Sequence, residues 1–132
     1  MALMTWREAN RAKWVGIRPA HYGEQIVKYV FTRTVTTIIH TVTAGKVFHW
    51  EGFTASYETA VGGANVFLSV RNGADVLQYT LINPTMVPIG AWSLAHTFKN
   101  PIEVPAGWDI FCGGSNAADG INAFIHGWED DA

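Results

Sequence analysis

The chain has 132 residues, enough for one domain with a core of its own and too few for two. Hydrophobic residues make up 48% and charged residues 15%, against about 25% charge in an average soluble domain, a balance that excludes a disordered chain. Nine basic and eleven acidic side chains give a net charge of −2, and the basic residues form no run, which excludes the electrostatic footprint of a nucleic-acid binder.

Residues 1–25 read as an N-terminal arm distinct from the domain at 26–132. Thr5 as N-cap with Glu8 three positions on predicts one or two helical turns over 4–14, with Trp6 and Trp14 roughly on one face. Gly16, Pro19 and Gly23 stop that helix. Trp6, Arg7, Glu8 and Asn10 interrupt any signal-peptide core, and no run approaches the roughly 18 apolar residues of a membrane span. The lone Cys112 cannot form an intrachain disulfide, so synthesis in a reducing cytoplasm is expected. The arm is mildly basic, through Arg7, Arg11, Lys13 and Arg18, whereas Glu129, Asp130 and Asp131 make the other end acidic. The two ends are therefore expected to attract one another or a partner. Two tryptophans are costly to leave in water, so the arm is expected to pack on the domain or on a neighbouring subunit. Trp6, Trp14, Tyr22 and Trp128 are the interface candidates.

From Ile26 the hydrophobic period becomes two. Runs at 26–32 and 34–42 are rich in β-branched and aromatic residues and read as strands. A turn at 43–46 leads to a strand over 47–56, with Phe48 and Trp50 on one face and Val47, His49, Glu51 and Phe53 on the other. Strands over 65–71 and 76–83 flank Asn72–Gly73, the clearest hairpin signal in the chain. In that pair Val66, Leu68 and Val70 share one face, and Leu77, Tyr79 and Leu81 share another. Pro84 and Pro88 bracket an irregular crossing. A strand over 91–98, a turn at Asn100–Pro101, a short edge piece over 102–104 and a turn at 105–107 follow. Strands over 108–112 and 121–128 then flank a small-residue loop. In the last strand Ile121, Ala123 and Ile125 face one way, and Phe124, His126 and Trp128 the other. About eight strands with turns every 8–12 residues and no crossover helix predict an all-β antiparallel sandwich of jelly-roll type. An immunoglobulin-like sandwich is the runner-up, without the cysteine pair that would support it.

One phrase occurs twice. Val42-Thr-Ala-Gly45 recurs as Val104-Pro-Ala-Gly107, each copy ending one strand and opening the next on an aromatic. Glycine suits a turn dihedral that a Cβ would oppose, and Pro105, with Thr43 less rigidly, is expected to set φ at the first turn position. The pair reads as equivalent corners of the two sheets.

The stretch from Asn100 through Val104-Pro-Ala-Gly107 to Phe111, closed by Phe124-Ile-His-Gly-Trp-Glu129, resembles the C-terminal half of small jelly-roll proteins of tailed-bacteriophage virions. Thr41-Val-Thr-Ala-Gly-Lys-Val-Phe48 resembles their opening hairpin, with Thr43 where proline is usual. The likeness covers roughly residues 38–129 and consists of turn grammar rather than catalytic signatures. It implies a non-enzymatic structural role as a capsid decoration, neck, tail or fibre module, without a cofactor. It further implies a homo-oligomer, a trimer by preference, meeting other virion proteins such as the major capsid protein. Such a subunit would be made in the host bacterial cytoplasm and reside in the virion.

Other chemistries have thinner support. None of the five histidines sits in a metal-binding spacing, and His49, His96 and Glu51 would be the group to test for a cupin-like metal enzyme. Cys112 beside the Gly113–Gly114 pair reads as a small buried hydrophobe before it reads as a nucleophile. A carbohydrate- or receptor-binding module would place its site in the loops 61–65, 83–90 and 113–120, with Asn65, Asn83, Ser115, Asn116 and Asp119 as candidate ligand contacts.

Overall fold

Alternation of apolar and polar residues produces strands that each expose one side, and such strands must pair and then stack to bury the other. A computed structural model of the chain describes residues 23–33, 36–59, 66–82, 90–114 and 120–132. These contain eight strands and no helix: β1 (Glu24–Thr32), β2 (Thr37–Thr41), β3 (Lys46–Thr59), β4 (Val66–Arg71), β5 (Leu77–Ile82), β6 (Gly90–Val104), β7 (Asp109–Gly114) and β8 (Gly120–Asp131). Sheet A has the order β1-β8-β3-β6 and sheet B the order β2-β7-β4-β5, with every pairing antiparallel. One core lies between them, filled by Phe48, Trp50, Ile121 and Ile125 from sheet A and Val66, Leu68, Val70 and Ile110 from sheet B. The expected all-β sandwich is therefore what these residues form. The N-terminal residues 1–22, with the helical turns expected there, lie outside the described residues.

The doubled phrase forms both corners at one end of the sandwich. Residues 43–46 carry the chain from β2 in sheet B to β3 in sheet A, and residues 105–108 carry it back from β6 to β7. In each, the fourth residue donates its amide to the carbonyl of the first: Lys46 to Thr43 at 3.0 Å and Trp108 to Pro105 at 3.2 Å. Gly45 and Gly107 both have φ of +76°, the dihedral a type II turn demands at its third position. Thr43 and Pro105 thus supply the accepting carbonyl, and Ala44 and Ala106 take the first central position. The two turns also bind each other: Val42 N–H donates to Trp108 O and Gly107 N–H to Val42 O, both at 2.9 Å.

Several strands differ from simple alternation, and each difference has a definite cause. A bulge between Trp50 and Gly52 resets β3, so Phe53 joins Phe48 and Trp50 in the core instead of facing outward. Asn100–Pro101 does not end a strand: β6 is continuous, and its segment from Thr97 to Ile102 is irregular where it faces Gly52 and Trp50. That irregularity lays Phe98 on Trp50, with ring centroids 5.5 Å apart. The β4–β5 hairpin is present, but its left-handed residue is Asp75 (φ 61°), not Gly73. Asn72 Oδ1 accepts the amides of Ala74 and Val76, which widens the turn beyond two residues. Register shifts in this pair put Leu77 beside Thr80 on the outer side, while Tyr79 packs against the core.

Candidate interaction surfaces

Inward residues of β8 alternate with outward ones, so its pairing with β1 and β3 defines the outer face of sheet A. Gln25 pairs with Trp128, Val27 with His126, Tyr29 with Phe124 and Phe31 with Asn122. This puts Val27, Tyr29, Phe31 and Phe124 on one side, exposed by 54%, 63%, 52% and 36%. Large apolar side chains in a contiguous row at such exposure mark an association surface more often than isolated ones do. The Tyr29 hydroxyl donates to Asn122 Oδ1 at 2.6 Å, and the Arg33 guanidinium lies 5.8 Å from the Phe31 ring centre. Trp128, the one interface candidate within the described residues, stacks on His49 at 4.8 Å and 14°. Its Nε1–H donates to Asp130 Oδ2 at 2.8 Å. It is half-buried within its own fold and continues the row toward the end where β1 begins. Trp6, Trp14 and Tyr22 lie outside the described residues.

The outer face of sheet B carries a second feature. Phe67, Ser69, Leu77, Thr80 and Phe111 line a shallow depression of about 280 Å³. Phe67 and Phe111 meet edge to face at 5.8 Å, and Ser69 Oγ donates to Thr80 Oγ1 at 2.9 Å. Beside Phe111, the Arg71 guanidinium lies 5.1 Å from the ring centre and its Nε–H is donated to Asp109 at 3.1 Å. Asp109 also accepts the Thr41 hydroxyl at 2.5 Å. Sequence reading overlooked this groove. Its signal is the opposite parity of β4: where Val66, Leu68 and Val70 face in, Phe67, Ser69 and Arg71 must face out.

A buried polar clamp joins the two sheets. A bulge in β2 between Ile38 and His40 turns both Ile39 and His40 inward. His40 Nε2 lies 2.7 Å from Glu129 Oε1 of β8, and the same oxygen accepts the Thr43 amide at 3.0 Å. Burial alone would push the Glu129 carboxyl up. The Thr43 amide and hydroxyl and the His40 ring outweigh it and hold this group below the usual glutamate value. Since a carboxylate can only accept, His40 donates its Nε2 proton here. Glu129 closes the Gly-Trp-Glu ending of the family-like stretch and binds the first Ala-Gly corner, so two segments that the resemblance singled out meet in space.

Of the other candidates, His49 lies on the outer face of sheet A, 3.4 Å from Asp130 and 3.9 Å from Glu103. His96 lies by Phe53 and Phe98 instead. Among the described residues no three His, Cys, Asp or Glu side chains come together to hold a metal, so His49, His96 and Glu51 do not form the suggested group. Cys112 is fully buried in β7, and burial pushes its thiol up to about 12. A thiolate is disfavoured there, in keeping with a small buried hydrophobe. Cys112 is accordingly expected to resist iodoacetamide in the native protein and to react fully in urea; fast native labelling with the fold intact would contradict this placement.

Asn65, Asn83, Ser115, Asn116 and Asp119 lie outside the described residues. The strands bracketing their loops do end together: Thr59 pairs with Gly90, Glu58 with Gly120 and Val66 with Gly114, at the end opposite the Ala-Gly corners. No protein-family model and no curated protein matches the chain. Its role is therefore read from its topology and its surfaces.

Proposed function

We propose that the chain is a non-enzymatic structural subunit of a tailed-phage particle, a jelly roll that works by assembly, and most specifically a capsid-decoration or other particle-surface protein. The observation that carries the assembly is the exposed row of Val27, Tyr29, Phe31 and Phe124 on sheet A. In a chain with only 15% charged residues, such a row is best buried against another subunit. Strand pairing supports the jelly-roll reading. First pairs with eighth, second with seventh, third with sixth and fourth with fifth, as in one long hairpin rolled around a core. The likeness of the Ala-Gly corners and of the Gly127-Trp-Glu129 ending to phage virion proteins supports the particle as its location.

Light scattering tests the reading. The full chain is expected to give a multiple of the single-chain mass, with a trimer as the first expectation, or to bind its shell. Tyr29→Asp combined with Phe124→Asp is expected to return it to the single-chain mass with an unchanged β-sheet circular dichroism spectrum. A wild-type chain that stays single at all concentrations and beside its shell would sink the proposal.

A second reading draws on the sheet B groove. Two phenyl rings, a pair of hydroxyls and the Arg71–Asp109 pair are groups that hold a sugar by stacking and hydrogen bonding, which suits a glycan-binding module of a tail or fibre. Binding on a glycan array that Phe111→Ala abolishes would favour it; a blank array would remove it.

A further inference from the structure

We propose that the outer face of sheet A is the docking site for residues 1–22 of a second copy of this chain. The inference rests on the reading of the protein as an assembling subunit and names what covers the exposed row.

The face and the segment match in composition. The face presents Val27, Tyr29, Phe31 and Phe124 toward one end, and toward the other it carries Asp130 and Glu103 around His49. Residues 1–22 bring Leu3, Met4, Trp6, Trp14, Val15 and Ile17, with Arg7, Arg11, Lys13 and Arg18 against a single acidic residue, Glu8. The rest of the chain holds five basic and ten acidic residues, so segment and domain carry opposite net charge. Tryptophans are the anchors that dominate interface energies when a pocket or ledge excludes water around them, and a basic segment on an acidic domain is steered to its site.

The exposed row is the surface that the assembly reading buries against another subunit, so the segment that covers it is taken from a second copy. Gly23, just before β1, lies against the end of β8, so close that an added Cβ would strike the Glu129 carbonyl and the Asp130 carboxylate, which places the start of the segment at the acidic end of the face. From Trp14 to Gly23 the chain spans up to about 30 Å, enough to cross to an adjacent subunit.

Photocross-linking in the full-length protein tests this. Two versions with different affinity tags are coexpressed, and only one carries a benzophenone amino acid in place of Tyr29. The expected product joins the two tags, with the cross-link falling in residues 1–22 of the version that lacks the probe. Trp6→Ala combined with Trp14→Ala in that version is expected to cut its yield about tenfold, the loss of two anchor residues, with melting unchanged. Cross-links confined to residues 1–22 of the probe's own chain would overturn exchange. Cross-links between tags that fall outside residues 1–22, in a protein that light scattering shows to be oligomeric, would overturn the docking assignment and leave the assembly reading intact. A single-chain mass alone and beside the shell would overturn both.

Discussion

Replacing Glu129 by alanine is expected to remove about 2–5 kcal/mol of folding stability, the cost of leaving two buried donors without a charged acceptor. The carboxylate is almost fully buried, accepts the Thr43 amide and is bonded to His40 across the two sheets. Its removal leaves a buried imidazole and a backbone amide without their acceptor at the corner where β2 turns into β3. Urea unfolding followed by tryptophan fluorescence measures the loss, and a change under about 1 kcal/mol would be incompatible with a working clamp. The pH dependence has a definite sign. Because the folded carboxyl titrates below its unfolded value, its contribution is fully present above about pH 4.3 and is lost as pH falls through the lower, folded value. Glu129→Gln keeps an acceptor for Thr43 and has no charge to lose, so its stability is expected to decline less steeply than wild type in that acid range. Parallel acid limbs in the two proteins would show that other carboxyls govern the loss.

Gly127→Ala is expected to cost at least about 2–3 kcal/mol, the upper part of the range for forcing atoms into a packed core. A Cβ at Gly127 would collide with the His49 carbonyl and lie 2.7 and 2.8 Å from carbons of the Phe48 ring. One obstacle is backbone in the central strand of sheet A, and the other is a fully buried ring, so neither can swing away. Gly45→Ala and Gly107→Ala are the controls. Nothing lies within 4 Å of a Cβ at either turn, so only the left-handed dihedral resists, at about 1–2 kcal/mol. Melting curves that rank Gly127→Ala no worse than the two turn variants would mean that the Phe48 contact is not tight.

Clamp and glycine explain why an ending spelled Gly-Trp-Glu is so particular. Three successive residues of β8 do three jobs: Gly127 yields its volume to Phe48, Trp128 stacks outward on His49, and Glu129 ties the corner. Turn grammar in the sequence pointed to this stretch and to the Ala-Gly corners, but not to their meeting. That contact joins residues more than 80 positions apart, and no local pattern encodes which sheet a strand enters.

Strand content, the inward faces of β4 and β8, both Ala-Gly corners and the burial of Cys112 are determined by the sequence itself. They depend on side-chain alternation, β-branched propensity and the φ preferences of glycine, all of which act within a few residues. Bulges at Glu51 and Ile39 and the merging of two expected pieces into β6 were decided by tertiary structure, whereas the wider Asn72 turn comes from the Asn72 side chain itself. At the bulges the demand to fill one core outweighed strict period-two alternation, turning Phe53 and His40 inward. The exposed row on β1 lies between these two cases. Ile26 and Val30 on one parity, with Val27, Tyr29 and Phe31 on the other, already spell a strand that is apolar on both sides. Only the pairing of β1 with β8 at the edge of sheet A, which lines Tyr29 up with Phe124 and leaves both outside the core, turns that excess into a surface for a partner.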